Sequence, residues 1–172
     1  MPIVMTELVQ ELETIFKEHS RMVYRTAFGV TGSPEDAEDV LQAIFLRLIR
    51  EFPTDLRQNP RAYLYRAAVN ESLTIIRQRV RRREASVDRA LDAPAAPSDA
   101  HEKEREHRRL YEAIAALKPD VAQILILRYM HNQTDVEIAK LLGVSRGTIA
   151  LKLFRSRLRL RKLLRANIGE ER

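Results

Sequence analysis

A run of helix-forming residues from Arg61 to Arg83 constrains the fold of this chain more than any other segment. Pro60 stands immediately before it, and proline is favoured at or before the first turn of a helix. No glycine or proline interrupts the run, so it predicts one long helix. A helical wheel separates two faces, one to be buried and one polar. The face to be buried carries Leu64, Ala68, Ser72, Ile75 and Ile76.

The polar face of this helix combines groups that are typical of nucleic-acid contacts. Its members are Tyr63, Arg66, Asn70, Thr74, Arg77 and Arg81. An aromatic ring can stack on a base, an amide can hydrogen-bond a base edge, and arginines neutralise phosphates. A solvated polar face on a core helix is the general alternative. The five arginines between Arg77 and Arg83 favour a nearby polyanion, because clustered like charges otherwise repel one another.

The composition indicates an all-α protein of a reducing compartment. The chain has 172 residues, five glycines and no cysteine, which excludes disulfides and thiolate metal ligands. Long stretches are rich in alanine, leucine, glutamate and arginine, all of which favour helices. The N-terminus has no signal-peptide pattern, and no apolar run approaches the thickness of a bilayer. We therefore expect a cytoplasmic protein without membrane insertion.

Charge and composition along the chain predict two domains. Residues 53–83 and 143–172 are basic, the latter with nine basic and two acidic residues, whereas residues 84–106 are acidic. Two separated basic blocks indicate two separate contacts with a polyanion. Ser86 to Ala100 contains two prolines and no periodic apolar face, which is typical of a flexible linker. The predicted organisation is two small helical domains, residues 1–84 and 103–172, joined by a flexible linker at 85–102.

Ser33 is predicted to cap a helix that begins at Pro34, with the Asp36 carboxylate returning a hydrogen bond to the cap amide. The buried apolar stripe of this helix is predicted to include Leu48 and Ile49, and Pro53 to Pro60 after it is predicted to be a loop.

The polar face of this helix carries an apolar residue. That face aligns Asp39, Gln42, Ala43, Leu46 and Arg50. A lone exposed leucine is common, but beside Asp39 and Gln42 it predicts a protein-docking surface. Acidic residues at the start of this helix are explained by the helix dipole, and no histidine or cysteine joins them to form a metal site.

The most specific motif lies near the C-terminus. Thr134-Asp135-Val136-Glu137 is a capping box that opens a short helix, which Gly143 ends. Ser145 caps a second helix, predicted to run to about Leu164. Val144 and Ile149 are predicted to pin this second helix across the first. This spacing is typical of a helix-turn-helix, and the alternative is an ordinary helical hairpin. The second helix carries many basic residues, which favour DNA binding: Lys152, Arg155, Arg157, Arg159, Arg161, Lys162 and Arg165.

Three segments together resemble the bacterial RNA polymerase sigma factors of the extracytoplasmic-function class. They are GSPEDAEDVLQAIFLRL, NPRAYLYRAAVN and LKPDVAQILILRYMHNQTDVEIAKLLGVSRGTIALKLFRSRLRLRKLL, in the family's order. The resemblance implies a first domain that docks on the clamp of the largest polymerase subunit and captures the melted minus-ten element. It implies a second domain that docks on the flap of the other large subunit and recognises the minus-thirty-five element.

The resemblance also implies partners and roles for individual residues. Core RNA polymerase, promoter DNA and an anti-sigma factor, which in some cases holds its sigma factor at the membrane, are the implied partners; no cofactor, metal or small-molecule substrate is implied. The polymerase-binding residues are Asp39, Gln42, Leu46 and Arg50. The minus-ten residues are Tyr63, Arg66, Asn70, Thr74, Arg77 and Arg81. The minus-thirty-five residues are Thr134, Ser145, Arg146, Thr148, Lys152, Arg155 and Arg157.

This chain departs from the family pattern within these segments. Ala43 stands where the family usually has Glu, Val69 where it often has Arg, and Thr74 where it has Asp. In the recognition helix Ala150-Leu151 replaces Lys-Ser, and Phe154 replaces a frequent His. On a helical wheel these three residues point away from the core. Such a face suits thymine methyl groups, an anti-sigma factor, or the first domain of the free chain.

Three functions compete at this point. The first is a transcription initiation factor that gives core polymerase its promoter specificity. A sigma-like decoy that sequesters an anti-sigma factor is the second, although the intact arginine clusters disfavour it. A helix-turn-helix regulator that acts without polymerase is the third, and it leaves the docking surface around Leu46 without a role. An enzyme is not expected, because no nucleophile–base pair, metal cluster or glycine-rich phosphate loop appears.

Overall fold

The computed structural model describes residues 2–87 and 99–169, which contain eight helices and no strand. This confirms the all-α prediction. The helices are α1 (Pro2–Thr31), α2 (Pro34–Arg50), α3 (Thr54–Gln58), α4 (Pro60–Val87), α5 (Asp99–Ala115), α6 (Pro119–Tyr129), α7 (Asp135–Leu142) and α8 (Arg146–Gly169). Within this part of the chain, no helix is both long and apolar enough to cross a bilayer.

Helices α1 to α4 form the first domain. The start of α2 follows the predicted chemistry, because the Ser33 hydroxyl accepts a hydrogen bond from the Asp36 amide at 3.2 Å. The predicted return bond from the Asp36 carboxylate is wrong, since this carboxylate forms an ion pair with Arg79 of α4 instead. That ion pair ties the beginning of α2 to the C-terminal half of the long helix.

The segment between α2 and α4 was predicted as a loop, but it contains α3. Leu56 of α3 is fully buried in the first domain's core, which explains why this short segment is ordered as a helix. The Asn59 side chain then accepts a hydrogen bond from the Ala62 amide at 3.0 Å. Asn59 thereby caps α4, as asparagine commonly does at a helix N-terminus.

The long helix α4 is buried on more than the predicted face. Leu64 and Ala68 pack into the first domain's core, as expected. Tyr65, Val69 and Leu73 form a second buried stripe, which belongs to a cluster shared with α5 to α8. The two stripes are adjacent on the wheel, and together they cover about half of the helix circumference. One partner layer cannot cover so wide an apolar arc, so α4 packs against both domains.

Helices α5 to α8 form the second domain, and α7 and α8 are the predicted helix-turn-helix. The capping box is present, with the Thr134 side chain bonded to the Glu137 amide and the Glu137 carboxylate bonded to the Thr134 amide. Gly143 ends α7 in the left-handed region at φ 69°, where glycine is favoured. Ile149 is fully buried beneath the turn, whereas Val144, expected to help pin the two helices, is 41% exposed.

The two domains pack directly against each other. The Tyr65 hydroxyl of α4 donates a hydrogen bond to the Gln123 carbonyl of α6 at 3.1 Å, and both residues are buried. Much of the predicted linker lies outside the described residues. Of its two ends, residues 85–87 belong to α4 and residues 99–102 belong to α5.

Candidate nucleic-acid interface

The outward side of α2 presents the predicted docking residues on one face. Asp39, Gln42 and Arg50 are exposed, and Leu46 between them is 54% exposed. Ile49 was assigned to the buried stripe from its spacing, and this assignment is wrong because it is 64% exposed. Its position three residues after Leu46 could have indicated this, since such pairs are neighbours on a helix surface. The structure therefore widens the apolar part of this face to two side chains.

The polar face of α4 is only partly open to solvent. Arg66, Asn70, Thr74 and Arg81 are exposed, and Tyr63 is half-buried. The Thr74 hydroxyl donates to the Asn70 carbonyl of its own helix at 2.9 Å. The Asn70 side-chain oxygen lies 3.4 Å from the Gln123 amide nitrogen, which donates to it from the second domain. The second domain thus reaches the edge of this face.

Arg77 makes the strongest polar link between this face and the second domain. Its guanidinium donates to the Ala115 carbonyl at 3.0 Å and to the Leu117 carbonyl at 3.1 Å. These carbonyls lie at and just beyond the end of α5, where the helix dipole favours a positive charge. Arg77 was predicted to face a polyanion, but in this arrangement two of its three guanidinium nitrogens bond carbonyls within the chain.

Polar side chains along α7 and α8 are also partly engaged. The Ser145 hydroxyl accepts a bond from the Thr148 amide at 3.1 Å and lies 2.9 Å from the Thr148 hydroxyl. Lys152 donates to the Asp120 carboxylate at 2.6 Å, and this bond is the main cause that lowers the pKa of Asp120. Arg157 donates to the Tyr129 hydroxyl at 2.7 Å.

Arg146 and Arg155, two of the predicted basic residues on α8, are exposed. Thr134 is exposed as well, but both its amide and its hydroxyl bond the Glu137 carboxylate, at 2.7 Å and 2.8 Å. These bonds lower the pKa of Glu137, the backbone bond contributing most. Thr134 therefore acts first as a helix cap, and the exposed arginines are the predicted residues most accessible to DNA.

An apolar groove lies between α5, α6 and α8. It encloses about 510 Å³ and is lined chiefly by apolar residues, among them Leu110, Leu125, Tyr129 and Leu160. Tyr129 is 56% exposed and Leu110 is 37% exposed at its rim. Sequence reasoning missed this groove, because it combines residues from three helices that are distant in sequence.

His131 links the two domains next to the face on α4. Its Nε2 lies 3.0 Å from the Thr26 hydroxyl of α1, and its ring contacts the Tyr65 ring edge-on at 5.6 Å. Thr26 already donates its hydroxyl proton to the Met22 carbonyl, so Nε2 is the donor to Thr26. Burial lowers the pKa of His131 first, and the positive charges of Arg25 and Arg61 lower it further.

We expect acid to weaken the packing of the two domains through His131. Glu18, Arg21 and Arg25 of α1 and Arg61 of α4 line the cavity around it. When the pKa of a histidine is lowered in the packed state, its contribution to the free energy of unfolding is fully present above the ordinary pKa of 6.5. That contribution is lost as the pH falls through the lowered pKa. The free energy of unfolding by urea, measured at about pH 7.5 and about pH 5.5, should fall with acid.

The matched variant for this pH dependence is His131→Gln, which retains a donor for Thr26 but does not titrate. Its free energy of unfolding should decrease less between the two pH values than that of the unmodified chain. Equal decreases in the two proteins would show that other groups carry the acid sensitivity.

The described residues contain no group of three or more histidine, aspartate or glutamate side chains placed to hold a metal ion. The exposed side chains offer an apolar face on α2 and polar or basic faces on α4 and α8, which are suited to binding. Each of these faces lies on a different helix.

Comparisons with known proteins agree with this geometry. The Sigma-70 region 2 family matches residues 15–82, and the Sigma-70, region 4 family matches residues 107–160. The ECF RNA polymerase sigma factor SigE of Mycolicibacterium smegmatis is 27% identical over 92% of this chain, which spans only 63% of that relative. The RNA polymerase sigma-E factor of Streptomyces antibioticus is 30% identical over 91% of this chain and 86% of its own.

Among solved structures, the sigma factor RpoE in complex with the anti-sigma factor NepR from Bartonella quintana is similar to this chain. The two are 21% identical over 92% of this chain and 97% of that one, with a TM-score of 0.46. Region 2 covers α2, α3 and most of α1 and α4, and region 4 covers α6, α7 and much of α5 and α8. With both regions present in the family's order, the chain belongs to the extracytoplasmic-function class of bacterial RNA polymerase sigma factors.

Proposed function

We propose that this chain binds core RNA polymerase and directs promoter recognition, DNA melting and transcription initiation. The observation that carries the proposal is that one chain exposes arginines on a helix of each domain, α4 and α8, and an apolar pair on α2. A regulator that binds DNA without polymerase would not need the exposed Leu46 and Ile49. The chain itself is not an enzyme in this proposal; it acts in the cytoplasm, and nucleotidyl transfer belongs to the polymerase.

The first domain is proposed to hold the melted minus-ten element on α4. An unstacked base of the non-template strand would lie beside Asn70, whose amide can bond a base edge, with Tyr63 available for stacking. Arg66 and Arg81, both exposed, would neutralise neighbouring phosphates in a salt-sensitive contact. Binding of the flipped base would offset the cost of unpairing, about a few kcal/mol.

The closed arrangement of the two domains bears on this mechanism. Gln123 contacts Asn70, and the carbonyls of Ala115 and Leu117 occupy Arg77. We therefore propose that the domains separate before α4 takes up the promoter strand. Docking on polymerase would supply this separation, with α2 on the clamp and the apolar groove of the second domain on the flap.

An anti-sigma factor is the other proposed partner. It would act by preventing the same separation or by covering α2. The support is the family itself, together with the similarity to a sigma factor that was solved with its anti-sigma factor.

Run-off transcription tests the proposed function. The reaction would contain core polymerase, this chain and the DNA upstream of its own gene, with a reaction lacking the chain as the control. A transcript that depends on the chain is expected. Core binding without a transcript would mean that the template lacks the right promoter. Duplexes that the complex binds would then be selected and used as templates. If neither core binding nor a transcript appeared, the decoy would be favoured; DNA binding without core binding would favour the regulator.

We expect Asn70→Ala to slow strand opening while leaving duplex binding intact. Losing one base contact costs about 1–3 kcal/mol, so open-complex formation should fall by roughly tenfold. The Asn70 side chain is exposed, and the hydrogen bond that it accepts from Gln123 is long at 3.4 Å, so the free energy of unfolding should hardly change. Permanganate reactivity of the melted thymines, followed over time, measures the effect.

Gln78→Ala is the matched control, because Gln78 is an exposed amide two turns further along the same helix. It should leave the rate of opening unchanged. Unaltered permanganate reactivity in Asn70→Ala would remove the proposed role of this residue in base capture.

A further inference from the structure

The outward face of α8 has an apolar centre. Leu151, Phe154 and Leu158 are 48%, 60% and 50% exposed, on the side opposite the buried Ile149 and Leu153. These side chains are exposed although the two domains are packed together. The first domain therefore does not cover them in this arrangement, and that explanation of the apolar face is wrong.

Basic residues surround this apolar centre. Exposed Arg155 and Arg159 lie on one side of it and exposed Arg161 on the other. Helix α8 contains no acidic residue from Arg146 to Gly169. A surface of this charge fits a polyanion, and the major groove of duplex DNA is lined by phosphates on both sides.

Position along the helix divides the apolar face into two parts. Recognition helices of helix-turn-helix proteins contact base edges with their N-terminal residues. Leu151 and Phe154 lie within the first three turns of α8, whereas Leu158 lies about 18 Å from its start. A Cβ atom at Gly147, one turn before Leu151, would meet only the Ser145 hydroxyl oxygen, at 3.8 Å, so the backbone here can approach a ligand closely.

Three polar side chains of the same segment have partners within the chain. The hydroxyls of Ser145 and Thr148 contact each other, and Lys152 is paired with Asp120. Leu151 and Phe154 are thus the unengaged side chains at the centre of this face. They can offer no hydrogen bond to a base edge. The C5-methyl group of thymine is the apolar group that the major groove presents.

We propose that Leu151 and Phe154 recognise the minus-thirty-five element through apolar contact with thymine methyl groups. This inference rests on the proposed function, because it requires that α8 enters the groove upstream of the melted segment. The preferred minus-thirty-five element is then expected to have thymine at the positions that face Leu151 and Phe154. Arg146 and Arg155 then supply phosphate contacts, which position the helix without adding sequence preference.

The test uses holoenzyme assembled from the full chain and core polymerase. Duplexes would be selected from a pool randomised upstream of the transcription start, and thymines in the recovered upstream element would be replaced by deoxyuridine. This exchange removes only the methyl group. Affinity should fall about fourfold for each contacted methyl, as expected for one buried carbon. Leu151→Ser combined with Phe154→His should bind thymine and uracil duplexes equally.

Leu158→Ala is the control, since it removes an equally exposed apolar side chain from the same face beyond the base-reading segment. It should keep the preference for thymine. A recovered element without thymine, or unmodified holoenzyme that binds both duplexes equally, would overturn the inference while leaving the proposed function standing. If Leu158→Ala weakened duplex binding as much as the double variant does, the apolar face would be assigned to a protein partner instead of DNA. Failure of the holoenzyme to select any duplex would overturn both proposals.

Discussion

Replacing Tyr65 by alanine is expected to separate the two domains of the free chain while each remains helical. The ring is 2% exposed, its hydroxyl bonds the Gln123 carbonyl, and its edge contacts His131. Truncating a buried aromatic side chain costs about 3–5 kcal/mol. Because these contacts reach into the second domain, the loss should fall on the interface and shift the closed-to-open ratio by at least about a hundredfold. X-ray scattering would show a larger radius of gyration, with the helical circular dichroism retained.

The same variant should bind single-stranded promoter DNA more tightly. If only the open form can take up the strand, the apparent affinity of the free chain is reduced by the fraction that is open. Opening the chain removes this reduction and frees both Asn70 and Arg77. Fluorescence anisotropy with a labelled non-template oligonucleotide, taken from a promoter that the holoenzyme transcribes, measures the gain.

Two further variants separate this effect from general destabilisation. Tyr24→Ala removes a half-buried tyrosine that packs in the first domain's core, and it should not open the chain. Tyr65→Phe keeps the ring and removes only the hydrogen bond, worth about 1 kcal/mol, so it should open the chain slightly. If Tyr65→Ala were extended in solution but bound the oligonucleotide no better, the second domain would not restrict access to α4.

Leu46→Ala combined with Ile49→Ala is expected to weaken binding to core polymerase by at least about thirtyfold. Both side chains are more than half exposed on the outward face of α2, next to Gln42. Apolar residues at the centre of an interface often contribute about 2 kcal/mol or more to binding. Their exposure means that the free chain should keep its melting temperature. Titration of labelled core polymerase measures the affinity.

Val9→Ala on α1 provides the control for this pair. Val9 is 58% exposed, in the same range as the two α2 residues, but lies on another helix. Its replacement should leave core binding unchanged. Core affinity that is unaltered in the double variant would show that α2 does not carry the docking surface.

Local chemistry made much of this fold predictable from sequence. The capping box at Thr134, the left-handed Gly143 and the cap at Ser145 are short-range interactions, and the structure contains all three. The apolar spacing of α2 likewise placed Leu46 on the outward face. Short-range signals missed α3, because a five-residue helix with one buried leucine has no period to detect.

The candidate site divides in the same way. Sequence placed Tyr63, Asn70 and Arg77 on one face of α4, because residues on one helix have a fixed relation to one another. It could not show that Gln123 and the end of α5 stand against that face. Ile49 was assigned to the wrong side because the width of a buried stripe depends on the partner that covers it.

By itself, then, the sequence determined the long helices, the caps at Thr134 and Ser145, the helix-turn-helix and the family. Each of these follows from residues within a few turns of one another, where covalent geometry fixes the spacing. Only the tertiary structure decided how α4 is shared between the domains, and which polar groups are engaged. Tyr65, Val69 and Leu73 extend an apolar arc that one layer cannot cover, and the second domain covers the remainder. The physical reason is that the burial of a helix face depends on the residues that pack against it. Those residues come from distant parts of the chain.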